Sequence, residues 1–291
     1  MHKYLKSVGF SGLDDKSELD KLLADVREHY DRKKVVEMEN HHLFAEISKE
    51  FGYDCGITIC GEYDESDNFQ MEYYFPYFAG SQITSYEEVV VERHAGKESY
   101  AGACDDMRVG ISLIFYLLNA GDYMNVRQNG MLRELQTSLS LSGLADSGTI
   151  LLPVSKNMRQ KEEDRKLSQQ RNSLIAAARN GDEEAIESLT MEDIDLYTMI
   201  SRRIQHEDVY TIVDSFFMPH GIECDQYNLM GEITDCNTTV NTVTGEKMYQ
   251  LGVLSNDIPL DICINERDLM GVPEVGRRFK GVIWLQGLIN F

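Results

Sequence analysis

The chain has 291 residues, of which 42% are hydrophobic, and its 49 acidic and 28 basic residues give a formal net charge of -21. This length and apolar content can bury one large core or two ordinary ones. The acidic excess repels nucleic acid backbones and anionic lipid surfaces, so it disfavours nonspecific nucleic acid binding, and we expect no membrane partner.

The first residues, MHKYLKSVGFSGLDD, lack the apolar core of a signal peptide, and no apolar run is as long as a membrane-spanning helix. The six cysteines include no Cys-x-x-Cys pair and form no dense framework. We therefore expect reduced thiols in a soluble cytoplasmic protein.

Residues 1–155 are predicted to form an α+β domain whose sheet is mainly antiparallel. Leucines and a valine at helical spacing in SELDKLLADVREHY predict an amphipathic helix. CGITICGEY and the alternating segment that begins at Phe69 predict a hairpin, because YDESDN between them is rich in turn residues. Further strands are predicted in SYEEVVVERH, GISLIFYLLNAG, LQTSLSLSGL and GTILLPV.

The composition changes at Lys156, and residues 156–205 are predicted to be a helical connector. KNMRQKEEDRKLSQQRNSLIAAARNGD is rich in charged residues that favour helices, and its Asn-Gly end is a typical helix stop. Thr190 and Asp193 resemble a capping box, which predicts that a new helix begins there after the short helix EEAIESL.

Residues 206–291 are predicted to form a small β-barrel domain. DVYTIVDSFF fits either a helix or a strand. After it come a long strand in QYNLMGEITDCNTTVN, a turn at Gly245, strands in KMYQLGVL and PLDICIN, a short helix capped by Asn265, and the final strand RFKGVIWLQGLINF. This order resembles an OB-fold barrel with one of its five strands missing. Either DVYTIVDSFF supplies that strand or the unit is another small barrel.

Cys104, Asp105 and Asp106, with Glu92 and His94 in the preceding predicted strand, are the candidate catalytic residues. A thiol near an imidazole can act as nucleophile and base, and paired carboxylates can hold Mg²⁺ or divide acid and base roles. The simpler interpretation is that the two aspartates are turn residues and the cysteine is a small core residue.

Three other sets of polar residues were weighed as metal sites, and the sequence predicts no metal and no cofactor. A tetrahedral zinc site usually takes its ligands in close pairs, and a calcium loop needs a glycine and a closing glutamate. In the set of His220, Cys224, Cys236 and Cys263, the only close pair is His220 with Cys224. His41 and His42 beside Glu37 and Glu39 are interpreted as a solvated strand edge. The loop of Asp64, Glu65 and Asp67 lacks the glycine and the closing glutamate and is interpreted as a solvated hairpin tip.

The final predicted strand places Arg278, Lys280 and Trp284 on one face, and these are the candidate ligand-binding residues. Such a face can stack a base or a sugar on the indole and can hold a carboxylate with the guanidinium group. The alternative is that other parts of the protein cover Trp284 and that acids such as Glu274 and Asp268 pair with the two cations.

Five stretches spread along the chain resemble one family of bacterial proteins: MHKYLKSVGFS, AGACDDMRVGISLIFYLLN, LSGLADSGTILLPV, GIECDQYNLMGEI and GRRFKGVIWLQG. It is an uncharacterised domain of unknown function, found mainly in anaerobic Gram-positive bacteria. The resemblance covers nearly the whole chain and implies a bacterial cytoplasmic protein. It brings no assigned activity, cofactor or catalytic residue.

The leading functional hypothesis is a non-enzymatic binding or scaffold protein that acts on a protein partner or a small ligand. The sequence contains no phosphate-binding loop, nucleophile elbow, HExxH zinc motif or dinucleotide fingerprint. One alternative is a metal-assisted hydrolase that uses His94, Asp105 and Asp106. Another is single-stranded nucleic acid binding by the C-terminal barrel through Trp284.

Overall fold

The computed structural model describes all residues except 39–41, 65, 94–98, 107, 109–110, 134, 155–157 and 223. It is a mixed α+β structure with one four-stranded and one ten-stranded sheet. The predicted α+β class is confirmed.

A short 3-10 helix, Lys3–Val8, and helix α1, Lys16–Glu28, begin the chain. The Asp15 side chain caps α1 by accepting a hydrogen bond from the Ser17 amide at 3.0 Å. The helix buries the apolar positions that predicted it, which are Leu19, Leu22, Leu23 and Val26.

The four-stranded sheet consists of neighbouring antiparallel strands in chain order: β1, Arg32–Glu37; β2, Leu43–Gly52; β3, Cys55–Tyr63; and β4, Phe69–Phe78. The predicted hairpin is the β3–β4 pair, in which Tyr63 lies opposite Phe69. Strands β1 and β2 were not predicted.

The ten strands of the larger sheet come from three separate parts of the chain. They are β5, Val89–Arg93; β6, Tyr100–Asp106; β7, Ile111–Leu117; β8, Ser138–Leu151; β9, Phe216–Pro219; β10, Gln226–Val240; β11, Lys247–Ser255; β12, Ile258–Asn265; β13, Leu269–Met270; and β14, Arg278–Asn290. The order of neighbours is β13-β8-β12-β11-β10-β14-β7-β6-β5, with β9 paired to β10. Strand β8 also pairs with β14, antiparallel and along the length of both strands.

The two short strands predicted in LQTSLSLSGL and GTILLPV are one strand, β8, so that prediction was wrong. The chain stays extended through Gly148 because both halves of β8 pair with β14, and the Phe279 ring occupies the space where a side chain at Gly148 would lie. The described residues contain five α-helices: α1; α2, Ala120–Gln128; α3, Met158–Arg179; α4, Glu183–Arg203; and α5, Val209–Ile212.

Helix α4 runs without a break through Thr190, so the predicted capping box there was wrong. The Thr190 hydroxyl donates to the Ile186 carbonyl at 2.8 Å inside the helix, and Asp182 is the actual cap, accepting from the amides of Glu184 and Ala185. The ambiguous segment DVYTIVDSFF contains both structures, because it forms α5 and then enters β9.

One continuous apolar core joins the two sheets. The division into domains of residues 1–155 and 206–291 with a connector at 156–205 stays a prediction. Strand β8 precedes both boundaries and pairs with strands of the C-terminal segment. In the described part of the chain, every helix is too short or too polar to span a bilayer.

Candidate functional site

Strand β14 has the buried face that its alternation predicts. Phe279, Ile283, Leu285 and Ile289 lie in the core. The candidate residues Arg278, Lys280 and Trp284 alternate with them, and each has different surroundings.

Arg278 is buried and binds backbone instead of an anion. Its guanidinium group donates to the carbonyls of Leu152 at 2.9 and 3.0 Å, Val213 at 2.9 Å and Tyr210 at 2.7 Å. Burial lowers the pKa of this group. The expected ion pair with Glu274 does not form, because Glu274 pairs with Arg277 at 2.9 Å. Arg278 therefore anchors α5 and the residues that follow it to the larger sheet by hydrogen bonds.

We expect Arg278→Met to lower the free energy of unfolding by about 2 kcal/mol, because carbonyls of three residues lose their donor. Urea unfolding measures this loss, and limited proteolysis should cleave faster near residues 208–213. Arg277→Met is the control at the adjacent position and should change stability by less than about 1 kcal/mol. Equal cleavage rates in the two variants would contradict the anchoring role.

Trp284 is also covered by other parts of the protein, as the alternative interpretation of this face predicted. The indole stacks on Tyr4 with ring centroids 5.5 Å apart, and the rings of His2 and Tyr116 lie 4.8 and 5.1 Å away. Its Nε1 donates to Asp225 Oδ2 at 2.7 Å. Burial holds the His2 pKa at about 4, so this imidazole is neutral at pH 7. The Trp284 ring has no free face for a base or a sugar.

Lys280 lies between these two covered residues and is only half-buried. Its ammonium group donates to the Tyr210 hydroxyl and lies 4.5 Å from the centre of the Tyr210 ring. Among the described residues it forms no ion pair, and Asp268, its other expected partner, pairs with Lys6 at 3.4 Å. Lys280 is therefore the cation of this face that can hold an anionic group.

A cavity of about 620 Å³ lies beside Lys280. Its floor crosses three neighbouring strands, where Val282 lies between Ser147 of β8 and Asn228 of β10. The cavity is lined by Ser147, Gly148, Thr149, Phe216, Asn228, Arg267, Asp268, Leu269, Met270, Lys280, Gly281 and Val282. Five separate chain segments thus meet at one concavity.

The polar side chains of the cavity differ in whether other residues of the protein already bind them. Arg267 is largely exposed and is held by Glu246 at 3.1 Å, and the Asn228 amide lies 2.8 Å from the ring of His220. Asp268 Oδ2 is buried and has no hydrogen-bond donor among the described residues. The Asp268 side chain as a whole is 25% exposed, so its carboxylate can accept a hydrogen bond from a ligand although Oδ2 itself is buried. The cavity thus offers a cation and an acceptor on different elements.

The second candidate region does not bring its carboxylates together. Asp105 and Asp106 lie in strand β6 instead of a turn, so they point to opposite faces. Asp105 is exposed and accepts from Ser112, whereas Asp106 is buried and binds Arg108 at 2.5 and 2.8 Å. The pKa of Asp106 is lowered because its bonds from Arg108 outweigh the opposing effect of burial. The turn interpretation was wrong because β6 pairs with β7 up to Asp106.

Cys104 is a buried residue, as the simpler interpretation expected. Burial raises its pKa to about 11, so the thiol is protonated at pH 7 and is a poor nucleophile. Its Sγ lies 4.0 Å from the Ser85 hydroxyl. His94, its candidate base, lies outside the described residues.

The residues weighed as metal ligands are scattered. The Cys263 thiol contacts the Ser7 carbonyl at 3.3 Å, the Cys236 thiol contacts the Pro273 carbonyl at 3.8 Å, and Cys224 is exposed. Asp64 caps its own turn through the amides of Ser66 and Asn68, while Glu39, His41 and Glu65 lie outside the described residues. The described part of the chain contains no group of three or more His, Cys, Asp or Glu residues able to hold a metal.

The comparisons with known proteins give one result. Searches of curated proteins and of solved structures found no match. A family profile described as "Domain of unknown function, E. rectale Gene description" (DUF3881) matches residues 5–287. The chain therefore belongs to the DUF3881 family of unknown function.

Proposed function

We propose that this protein is a non-enzymatic cytoplasmic binding protein that holds a small anionic ligand in the cavity beside Lys280. The observation that carries the proposal is a half-exposed lysine without an ion-pair partner among the described residues, at a concavity of about 620 Å³. Ligand pockets in proteins are of this size, about 300–1,000 Å³, and combine apolar walls with a few polar groups. The six cysteines are free thiols, which supports a reducing compartment.

The strands below the cavity support an OB-type barrel. In the order β8, β12, β11, β10 and β14, each strand pairs with the next, and β14 pairs back to β8. We infer that β8 supplies the fifth strand of this barrel, although it precedes the other four in the chain. OB-type barrels often bind ligands on an outer face, which supports the proposal by analogy with the fold alone.

The lining residues define the chemistry of the ligand. Lys280 would hold a carboxylate or phosphate group, and Asp268 would accept from a hydroxyl or amine on the same molecule. Phe216, Leu269 and Val282 provide apolar contact. The net charge of -21 repels long polyanions more than a small anion, which favours a small molecule over single-stranded nucleic acid.

The proposal predicts that purified protein retains an anionic compound of low mass from a metabolite extract, detected by native mass spectrometry. Lys280→Met should weaken retention of that compound at least about tenfold, because the charge-assisted hydrogen bonds are lost. Lys247→Met is the matched control, since Lys247 lies on the same sheet but pairs with Glu266 at 2.8 Å and does not line the cavity. Equal retention by wild type and Lys280→Met would refute the proposal.

The hydrolase alternative has less support than binding. It needs two carboxylates directed at one metal or one water, whereas Asp105 and Asp106 lie on opposite faces of β6. The Arg108 side chain also occupies both oxygens of Asp106. No observation in the described residues favours a catalytic role at this position.

A further inference from the structure

Helices α3 and α4 form an antiparallel hairpin whose helices pack mainly on each other. Arg171 of α3 ties them together, with contacts of 3.5 Å to Glu192 and 2.6 Å to Asp193 on α4. Among the described side chains of α4, only Ala185 is fully buried. Two helices alone bury little apolar surface, so an isolated hairpin of this kind gains from further packing.

An apolar stripe lies open along α4. Ile186, Ile194 and Tyr197, with Ile204 at the C-cap of the helix, recur at helical spacing on one side, with 47%, 55%, 75% and 48% of their surfaces exposed. Leu167 of α3 is also 62% exposed. Single exposed apolar residues are ordinary, but several on one side of a hairpin that packs mainly on itself are typical of an interaction surface.

The charges of the two helices indicate which partner fits. Helix α3 carries six basic and three acidic residues, whereas α4 carries six acidic and two basic residues. A second copy of the chain therefore supplies a helix of net positive charge, which complements the net negative charge of α4. Pairing α4 with another α4 would bring like charges together, so it is disfavoured.

We propose that the α3–α4 hairpin is a dimerisation module, in which α4 of one copy packs its apolar stripe against α3 of a second copy to form a four-helix bundle. Each copy contributes both helices, so the contact is made twice across a two-fold axis. The stripe is then buried in both copies. This association is independent of the ligand cavity, whose lining residues lie on other elements.

Sedimentation equilibrium of the full chain at micromolar concentration tests the proposal. We expect wild type to sediment as a species of twice the chain mass of 33.2 kDa. Ile194→Glu should raise the dissociation constant at least about tenfold, because it places a charge in the apolar stripe. Ser188→Glu adds the same carboxylate to an exposed position on the opposite side of α4 and should leave the dimer intact.

Three results would overturn the proposal. The first result is a wild type that is monomeric at every concentration, even if the hairpin of that monomer binds an unrelated protein. Ile194→Glu could remain as dimeric as Ser188→Glu, while circular dichroism shows equal helix content. The third result is a dimer that becomes more stable with added salt. Salt screens the repulsion between two acidic α4 helices, whereas it weakens the attraction between α3 and α4 that is proposed here.

Discussion

At about pH 8, Glu46→Gln should raise the free energy of unfolding by about 3 kcal/mol over that of wild type. Glu46 of β2 is a buried carboxyl group beneath the first turn of α2, where it accepts from the Gly121 amide at 2.8 Å. Burial raises its pKa from 4.5 to about 7, and the charge of Asp122 adds to this, against the opposing effects of the Gly121 amide and Lys34. Glutamine keeps the acceptor and removes the ionisation.

The direction of the pH dependence follows from the raised pKa. Between about pH 4.5 and 7 the folded state binds more protons at Glu46 than the unfolded state does, so wild type loses stability as the pH rises. The gain from Glu46→Gln should therefore shrink to about 1 kcal/mol near pH 5.5. Urea unfolding of wild type and Glu46→Gln at the two pH values measures the difference in their free energies of unfolding. The contributions of the other titrating groups are the same in both proteins and cancel in this difference.

Glu72→Gln is the matched control, because it makes the same change at an exposed position of the same sheet. It should change the free energy of unfolding by less than about 0.5 kcal/mol at both pH values. A gain from Glu46→Gln that does not depend on pH would show that the carboxyl group is not the titrating group inferred here.

We expect Gly102→Ala to lower the free energy of unfolding by about 2–3 kcal/mol. An added Cβ at Gly102 of β6 would lie 2.2 Å from Phe115 Cζ. The ring cannot move aside, because it is fully buried and also lies against Gly287 of β14, where a Cβ would be 2.3 Å from Phe115 Cδ2. Thermal or urea unfolding measures the loss.

A double-mutant cycle separates this clash from other effects of the methyl group. In a Phe115→Leu background the ring is gone, so Gly102→Ala should cost less than about 1 kcal/mol. Gly12→Ala serves as the control, because no atom lies within 4 Å of its added Cβ. Equal losses in the two backgrounds would mean that Phe115 is not the obstacle.

The sequence correctly predicted those helices and strands whose defining residues lie within the element itself. Helix α1, the β3–β4 hairpin and the run from β10 to β12 were predicted correctly, because side-chain periodicity and turn residues lie within each element. The extent of β8 was missed, because its pairing with β14 joins residues that are distant in the chain. Thr190 misled for a different reason, because the helix that contains it already has a cap at Asp182.

The candidate site was predicted only in part. Alternation correctly separated Arg278, Lys280 and Trp284 from the core face of β14. What covers each of them comes from elsewhere: residues 2–4 lie on Trp284 and residues 210–213 on Arg278. The cavity residue Asn228 carried no signal in the sequence, and Asp268 was named only as an ion-pair partner of the two cations, because these residues line one cavity only when the strands pair.

The pairing of β8 also has a consequence for synthesis on the ribosome. Strand β8 is complete at Leu151, but both of its long partners, β12 and β14, lie within residues 258–290. Until those residues emerge, the nascent chain holds a long strand with two unpaired edges, which can associate with other chains. The α3–α4 hairpin emerges during this interval and contains mainly local contacts, so it can fold first. Closure of the large sheet is therefore a late event, and a stalled chain would be the form of this protein most prone to aggregate.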